Sequence, residues 1–256
     1  MTLAEDPRRG GRAALVAVPT YNEREGLDVL LPRLLAVAAE GLDVLVVDDA
    51  SPDGTADLVE GHARDSSRVH LLRRPTKQGL GTAYLTAFRW ALERDYWAVV
   101  EMDADLSHDP AAIPSLLSQL GAAELAIGSR YVRGGSVRNW SPLRRLLSRA
   151  GNVYAGLLLG FGVRDSTSGF RAYRAEVLER QRLDSVRSEG YAFQIEMTRR
   201  VFLAGGRIVE IPITFEERTS GRSKLSRTII LEAIYRVAGW GIEDRLRGRA
   251  PESAVE

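Results

Sequence analysis

Two groups of carboxylates stand directly after apolar runs, at positions where buried strands are expected to end. The largely apolar run Val99–Met102 leads into Asp103 and Asp105, and the run Val44–Val47 leads into Asp48-Asp49. Two carboxylates crowded at one strand end repel each other unless a cation lies between them. Oxygen ligands of this kind suit Mg²⁺ or Mn²⁺. The spacing therefore predicts a divalent metal held by Asp103 and Asp105.

Aspartates after strands also serve in turns and as helix caps. For Asp53, which precedes Gly54-Thr55, capping of the next helix is the favoured interpretation. For Asp103 and Asp105, the mutual repulsion of the pair favours the metal. Ligands of open parallel sheets bind outside the carboxyl ends of the strands, so the acids at these ends are expected to face a ligand.

The elements that position these acids follow from the hydrophobic periodicity. Strands are predicted at Ala14–Val18, Val44–Val47, Val69–Leu72, Trp97–Met102 and Glu124–Gly128, and helices at Gly26–Ala39, Thr55–Arg64, Leu80–Arg94 and Ala111–Leu120. This alternation predicts an α/β fold with a mostly parallel, doubly wound sheet flanked by helices. The sequence has no P-loop motif and no Gly-x-Ser-x-Gly motif, and Gly79-Leu80-Gly81-Thr82 lacks the full dinucleotide fingerprint.

Length and composition favour one catalytic domain. The 256 residues can bury one sizeable core, and we divide them into an N-terminal tail (1–12), a catalytic domain (13–225) and a C-terminal helix and tail (226–256). The lack of cysteine excludes disulfides and Cys-ligated zinc and fits a reducing compartment. A net charge of +1 is not that of a polyanion-binding protein, so no nucleic-acid partner is expected.

The segment after residue 128 is basic and then amphipathic. Six arginines and no acid lie from Arg130 to Arg149, which predicts a local anion-binding surface. A helix follows with one apolar stripe, formed by Leu143, Leu146, Leu147, Ala150, Tyr154, Leu157, Leu158 and Phe161. Two interpretations stay open: a surface helix whose stripe packs on the sheet, or a helix at a membrane interface with its cations toward anionic headgroups. The longest apolar and glycine run has eleven residues, whereas a membrane span needs about 20.

Near the C-terminus, a strand predicted at Ile208–Phe215 precedes a polar loop, Glu216–Lys224, and a final helix that begins near residue 226 or 228. The loop carries Arg218 and Lys224 among glycine and serine hinges. It could close over a phosphorylated ligand. A solvated basic loop is the alternative interpretation.

Six motifs of the chain resemble those of a known enzyme family. In order they are PTYNEREGL, VVDDASPDGT, MDADLSHDP, GSRYVRGG, DSTSGFRAY and EGYAFQIEM, and the match runs from about Val16 to Lys224. Together they are similar to the inverting glycosyltransferases of the GT-A fold, family 2, and among them to the dolichol- and polyprenol-phosphate mannosyltransferases. The resemblance implies a GT-A glycosyltransferase fold, here followed by C-terminal amphipathic helices.

The resemblance also implies a donor site. The guanosine part would be lined by Pro19, Tyr21, Glu23, Val47 and Asp49. The backbone at Asp103-Ala104 would meet the nucleotide, and Asp105 would reach the metal. Some members carry glutamine at the position of Ser107, so Ser107 would contact the metal directly or through a water molecule. Arg130 would bind phosphate at the end of the fifth predicted strand.

On the acceptor side, Arg144 and Ser148 lie one turn apart on the predicted helix and are the candidates for binding the acceptor phosphate. Arg218 and Lys224 would close from the C-terminal loop. Glu189, Gln194 and Glu196 would organise the sugar or acceptor site, with a purely structural role as the alternative for Glu196.

The implied reaction is the inverting transfer of mannose from GDP-mannose to a polyprenyl (dolichyl-type) monophosphate, giving polyprenyl-phosphomannose and GDP with Mg²⁺ or Mn²⁺. Some relatives add two membrane spans that this sequence lacks. We therefore expect a protein at the membrane surface, peripheral on the cytoplasmic face, or one that works beside a separate membrane anchor protein. Alternatives are the same fold with another donor such as UDP-glucose or with a non-lipid acceptor, and a noncatalytic nucleotide-sugar-binding subunit.

Overall fold

The computed structural model describes residues 11–37, 41–217 and 227–248. Its strands are β1 (Ala14–Thr20), β2 (Leu42–Asp48), β3 (Val69–Arg73), β4 (Ala98–Glu101), β5 (Leu125–Ser129), β6 (Ser136–Arg138), β7 (Arg171–Arg174), β8 (Ile208–Pro212) and β9 (Thr214–Glu216). Its helices are α1 (Arg24–Val37), α2 (Thr55–Asp65), α3 (Leu80–Leu92), α4 (Ile113–Gln119), α5 (Pro142–Leu159), α6 (Ala175–Arg180), α7 (Gly190–Leu203) and α8 (Arg227–Leu246).

Seven strands form one sheet in the order β3-β2-β1-β4-β7-β5-β8. All neighbours are parallel except β7, which runs antiparallel to β4 and β5. The predicted mostly parallel α/β fold is therefore confirmed. In the register of β1 and β2, Thr20 stands opposite Asp48. Because β1, β2 and β4 are parallel neighbours, their carboxyl ends meet at one edge and bring the predicted acids together.

Helices cover both faces of the sheet, so its central strands are buried on both sides. On one face, Leu15, Leu45 and Val99 pack in a cluster with side chains of α3 and α7. On the other face, Val16, Val44 and Val100 pack with side chains of α1 and α4. Burial on two faces explains the continuous apolar runs that precede the acids.

Two parts of the sheet differ from the predictions. The prediction of a single strand at Ile208–Phe215 is wrong. The chain leaves the main sheet after Pro212, at the end of β8, and continues as β9, which pairs with β6 in a separate two-stranded parallel sheet. Proline has no N–H with which to extend a ladder. Strand β7 was not predicted, because its end residues Arg171 and Arg174 interrupt the apolar pattern.

Helix α8 packs against α5 and α7. The Arg199 side chain of α7 forms a buried ion pair with Asp244 of α8, and Tyr154 Oη of α5 donates to the Ile234 carbonyl at 3.1 Å. The predicted domain boundary between residues 225 and 226 lies outside the described residues. Within the ranges that the structure describes, no helix has the length and apolarity needed to cross a membrane.

Candidate active site

The aspartates at the end of β2 are held by specific donors. Asp48 accepts hydrogen bonds from Thr20 Oγ1 at 3.2 Å and Ser51 N at 3.0 Å. Asp49, a predicted donor-site residue, is buried, forms an ion pair with Arg74 and accepts from Gln78 N at 3.1 Å. Their carboxylates therefore order the loops around the edge of the sheet, which the sequence alone did not indicate.

The first turns of α1 and α2 meet at Asp53. Its carboxylate accepts from Thr55 N at 3.0 Å and from Arg24 N at 3.2 Å, the first residues of these two helices. Asp53 lies one residue before the N-cap, Gly54, and its carboxylate satisfies the first N–H of each helix. The backbone N–H of Glu23 donates to Thr55 Oγ1 at 3.3 Å, which places the predicted donor residue Glu23 in the same cluster.

The other predicted donor residues occupy different environments. Tyr21 lies at the end of β1, and Lys77 Nζ is 4.0 Å from the centre of its ring. Pro19 is half-buried, whereas Val47 is completely buried in the core beneath α3. Lys77 was not among the predicted residues, since an isolated lysine in a polar loop gives no sequence signal.

Asp103 and Asp105 follow β4 and are both half-buried. Tyr84 Oη donates to Asp103 Oδ1 at 3.4 Å, and Ser107 N donates to Asp105 Oδ1 at 3.1 Å. Helix α1 approaches this loop closely: a Cβ at Gly26 would lie 2.6 Å from the Ala104 carbonyl oxygen. Glycine is therefore required at position 26 to keep α1 against the loop.

The donor set fits a divalent cation that binds together with a substrate. In the described parts of the chain, no group of three or more acids and histidines surrounds a common point. Mg²⁺, however, is commonly bound by one or two carboxylates and completes its shell with substrate phosphates and water. Asp103 and Asp105 supply such carboxylates. Ser107 is buried, and its carbonyl accepts from Glu216 N at 3.2 Å.

Two buried ionisable side chains, Glu101 and His108, flank the Asp103–Asp105 segment in the chain. Burial raises the pKa of Glu101 to about 8, and Gln194 Nε2 donates to Glu101 Oε2 at 2.7 Å. Burial lowers the pKa of His108 to about 4, and its ring stacks on Phe170 with centroids 4.9 Å apart. His108 is therefore neutral at pH 7 and acts as a packing side chain.

Arg130 is buried and paired with Asp165. Its Nε and Nη2 donate to the two Asp165 oxygens at 2.7 and 2.6 Å, and its backbone N–H donates to Asp165 Oδ2 at 2.8 Å. Burial alone would lower the pKa of Arg130, but the charge and hydrogen bonds of Asp165 outweigh it and raise that pKa. Asp165 lies in the motif DSTSGFRAY, but its role was not predicted.

The two predicted acceptor residues lie in the first half of α5, and both are half-buried. Arg144 forms an ion pair with Glu217, and its guanidinium lies 4.3 Å from the centre of the Trp140 ring. Ser148 Oγ accepts a hydrogen bond from Tyr131 Oη at 2.7 Å. Because the Ser148 oxygen accepts this bond, its own proton can be donated to an anion.

Tyr191, in the first turn of α7, joins these groups. Burial raises the pKa of its hydroxyl, while the charges of Arg130 and Arg144 lower it and that of Asp103 raises it. The Tyr191 hydroxyl is therefore close enough to Arg130, Arg144 and Asp103 for their charges to act on it. The sequence placed it in the motif EGYAFQIEM without assigning it a role.

The neighbouring motif residues have structural contacts. Glu189 accepts from Gly81 N at 2.8 Å and from Thr82 N at 3.2 Å, at the start of α3. Glu196 forms an ion pair with Arg200 at 2.6 Å, in line with the structural alternative. Arg218 and Lys224 lie outside the described residues.

The fold is that of the GT-A-like glycosyltransferases. The family model for Glycosyl transferase family 2 matches residues 15–182, and the chain belongs to this family. It is 50% identical over 234 residues to an undecaprenyl-phosphate mannosyltransferase of Micrococcus luteus, covering 91% of this chain and 96% of the relative. It is also 50% identical over 246 residues to a polyprenol monophosphomannose synthase of Mycolicibacterium smegmatis, covering 94% and 92%.

Solved structures support the fold. The glucosyl-3-phosphoglycerate synthase of Mycobacterium tuberculosis, crystallised with Mn²⁺, UDP-glucose and phosphoglyceric acid, superposes with a TM-score of 0.68. Its sequence is 19% identical, and the match covers 91% of this chain and 82% of that chain. At this identity the likeness concerns the fold.

Proposed function

We propose that the protein transfers mannose from GDP-mannose to a polyprenyl (dolichyl-type) monophosphate with inversion, giving polyprenyl-phosphomannose and GDP. The observation that carries the proposal is the 50% identity, over more than nine-tenths of the chain, to two relatives named for the transfer of mannose to a polyprenyl phosphate. The arrangement of Asp103, Tyr191 and Arg144 supports it, because a site that joins two phosphorylated substrates needs a cation site beside a second anion site.

On the donor side, Asp103 and Asp105 would hold Mg²⁺ or Mn²⁺ against the diphosphate, with Ser107 in reach directly or through water. The cation supplies charge neutralisation for the departing GDP. Arg130, which Asp165 holds in position, would bind phosphate beside the cation. Arg218 and Lys224 would approach the donor from the C-terminal loop. Tyr21, Glu23, Asp49 and their neighbours would line the guanosine site.

On the acceptor side, the nucleophile is a phosphate oxygen. A phosphomonoester has its second pKa near 6 and is mostly dianionic at neutral pH, so it arrives deprotonated. The protein then needs no dedicated general base. Catalysis would rest on aligning this oxygen with the anomeric carbon and on stabilising the leaving diphosphate.

The test is incubation of the purified protein with GDP-mannose, Mg²⁺ and a polyprenyl monophosphate, followed by extraction of lipid-linked mannose. Parallel reactions contain UDP-glucose or a water-soluble phosphorylated acceptor. Mannolipid formation only with GDP-mannose and the polyprenyl phosphate supports the proposal. Transfer from another donor or to another acceptor would contradict the proposed substrates. Binding of a nucleotide sugar without any turnover would indicate a noncatalytic subunit.

Replacing both Arg144 and Ser148 by alanine is expected to raise the acceptor KM and to leave GDP-mannose affinity near normal. The loss of charged hydrogen bonds to phosphate should cost about 1.5–3 kcal/mol. Steady-state kinetics in detergent and calorimetric donor binding measure the two effects. Arg145→Ala is the charge-matched control, because Arg145 is exposed on the same turn. Unchanged acceptor kinetics, or a loss of donor binding, would show that the acceptor site lies elsewhere.

We also propose that α5 and α8 rest on the cytoplasmic face of a membrane, alone or beside a separate membrane anchor protein. The outer surface of α5 carries side chains that are between 61% and 76% exposed: Leu143, Leu146, Leu147, Val153 and Leu157. Helix α8, which packs against α5, also exposes large apolar side chains: Leu231, Ile234, Tyr235, Ile242 and Leu246. On α8 the acids Glu243 and Asp244 instead pair inward with Arg199. An outward apolar face beside arginines suits anionic lipid.

The burial pattern corrects the sequence interpretation of α5. The buried residues of the helix are Asn152, Ala155 and Leu159, so the alternative in which the apolar stripe packs on the sheet does not hold for its exposed leucines. Phe161 was predicted on the same stripe as these leucines, but it is only 7% exposed and packs in the core. Helix α5 ends at Leu159, and the left-handed Gly160 turns the chain inward.

Binding to anionic liposomes is expected at low salt and should weaken as salt rises, because screening shortens the reach of the arginines. Each basic residue near the surface contributes about 1 kcal/mol. Replacing Leu146, Leu147 and Leu157 by serine should weaken cosedimentation further, whereas Val29→Ser, which removes an apolar side chain 40% exposed on α1, should not. No binding at low salt, or binding that survives alkaline extraction, would contradict peripheral attachment through this face.

A further inference from the structure

We propose that Glu217 is an internal competitor of the acceptor phosphate: its carboxylate holds Arg144 in the acceptor-free enzyme and is displaced when the phosphate binds. The inference rests on the proposed function, in which Arg144 binds that phosphate. Arg144 Nη1 donates to Glu217 Oε1, and this contact joins the start of α5 to the residue after β9, 73 positions away in the chain.

The geometry makes the two anions compete for one place. Carboxylates and phosphates both present paired oxygens to the edge of a guanidinium. The Arg144 guanidinium lies 4.3 Å from the Trp140 ring centre, so the ring blocks one of its faces. The side chains of Arg144 and Glu217 are 31% and 32% exposed. An incoming phosphate can therefore reach the pair, and it meets a cation that Glu217 already occupies.

Charge decides which anion binds. A partly exposed ion pair is weak, because water screens it and two long side chains must be ordered. A phosphomonoester carries nearly two negative charges and three acceptor oxygens, whereas Glu217 carries one charge. The phosphate is thus expected to displace Glu217 from Arg144. When no phosphate is bound, Glu217 stays paired with Arg144. The apparent acceptor affinity is then the intrinsic affinity multiplied by the fraction of enzyme in which Arg144 is free of Glu217.

Displacement of Glu217 does not require β9 to detach. The backbone N–H of Glu216 donates to the Ser107 carbonyl at 3.2 Å. The Phe215 ring packs edge-on against Trp140 and His108, with centroid distances of 5.4 Å to each. These contacts hold the strand independently of the Glu217 carboxylate, so only one side chain has to move.

The test compares Glu217→Gln with Glu216→Gln, an adjacent exposed acid whose replacement makes the same change in charge. Glu217→Gln should lower the acceptor KM about two- to fivefold, the range of a partly exposed ion pair. Its kcat and donor KM should stay at wild-type values, and Glu216→Gln should match wild type throughout. Calorimetric titration with farnesyl phosphate, without donor, should show the same tightening for Glu217→Gln alone.

The sign of the effect separates competition from support. If Glu217 only braced Arg144, Glu217→Gln would raise the acceptor KM and lower the melting temperature, and this result would overturn the proposal. Equal farnesyl phosphate binding by wild type and Glu217→Gln would overturn it as well. A wild-type protein that makes no mannolipid rejects the proposed function instead, and the farnesyl phosphate titration still decides the competition.

Discussion

Replacing Asp105 by alanine is expected to lower mannosyl transfer at least about 100-fold, because a cation on the diphosphate stabilises the leaving group by several kcal/mol. GDP-mannose binding in the presence of Mg²⁺ should weaken as well. Chelation of divalent ions in the wild-type protein should reproduce both losses. Turnover assays and calorimetry with and without metal measure them.

Asp109→Asn is the matched control for this variant. Asp109 lies four residues further along the same loop, is exposed, and its Oδ1 accepts from Ala111 N at 3.0 Å. Asparagine caps helices about as well as aspartate, so the control changes charge near the site and keeps the local fold. An Asp105→Ala protein with wild-type turnover and metal dependence would show that the metal assignment is wrong.

The second large effect is expected for Asp165→Ala, which should lower the free energy of unfolding by about 3–5 kcal/mol. Asp165 is fully buried, and its removal leaves the buried Arg130 cation without its ion-pair partner. The Arg130 side chain also donates to Thr167 Oγ1 at 2.8 Å, so the loop that carries Asp165 and Thr167 should lose its order as well. Urea denaturation followed by circular dichroism measures the change, and residual activity should fall with it.

Asp184→Ala tests whether any lost ion pair has this effect. Asp184 pairs with Arg89 at 2.7 Å, but its side chain is 93% exposed, and surface pairs contribute little to stability. Its unfolding midpoint should therefore remain near that of wild type. If Asp165→Ala were no less stable than Asp184→Ala, the Arg130–Asp165 pair would not anchor this part of the site.

The acids at the strand ends show what can be predicted from local sequence patterns. Strands buried on both faces read as apolar runs, so the sequence predicted β1, β2 and β4 and the acids that follow them. Parallel connections then place Asp48, Asp103 and Asp105 on one edge without any further information. The role of Asp53 at the start of α2 was predicted for the same reason, because Thr55 lies two residues further along the chain, whereas its contact with Arg24, 29 positions away, was not.

Long-range partners could not be predicted in this way. Arg130 was expected to bind phosphate, but its partner Asp165 lies 35 positions further along the chain, in the loop before β7. The pairing of Arg144 with Glu217 depends on the chain leaving the main sheet after Pro212, where a single strand was predicted.

Sequence by itself determined the fold class, the family resemblance and the position of the predicted metal acids, because these depend on periodicity and on residues close together in the chain. Only the tertiary structure decided which cations are already paired and which face of α5 is exposed. Those properties depend on contacts between Arg130 and Asp165, Arg144 and Glu217, and α5 and α8, which lie 35, 73 and about 80 positions apart. Neither residue spacing nor composition predicts these contacts, because they form only when the folded sheet brings remote segments of the chain together.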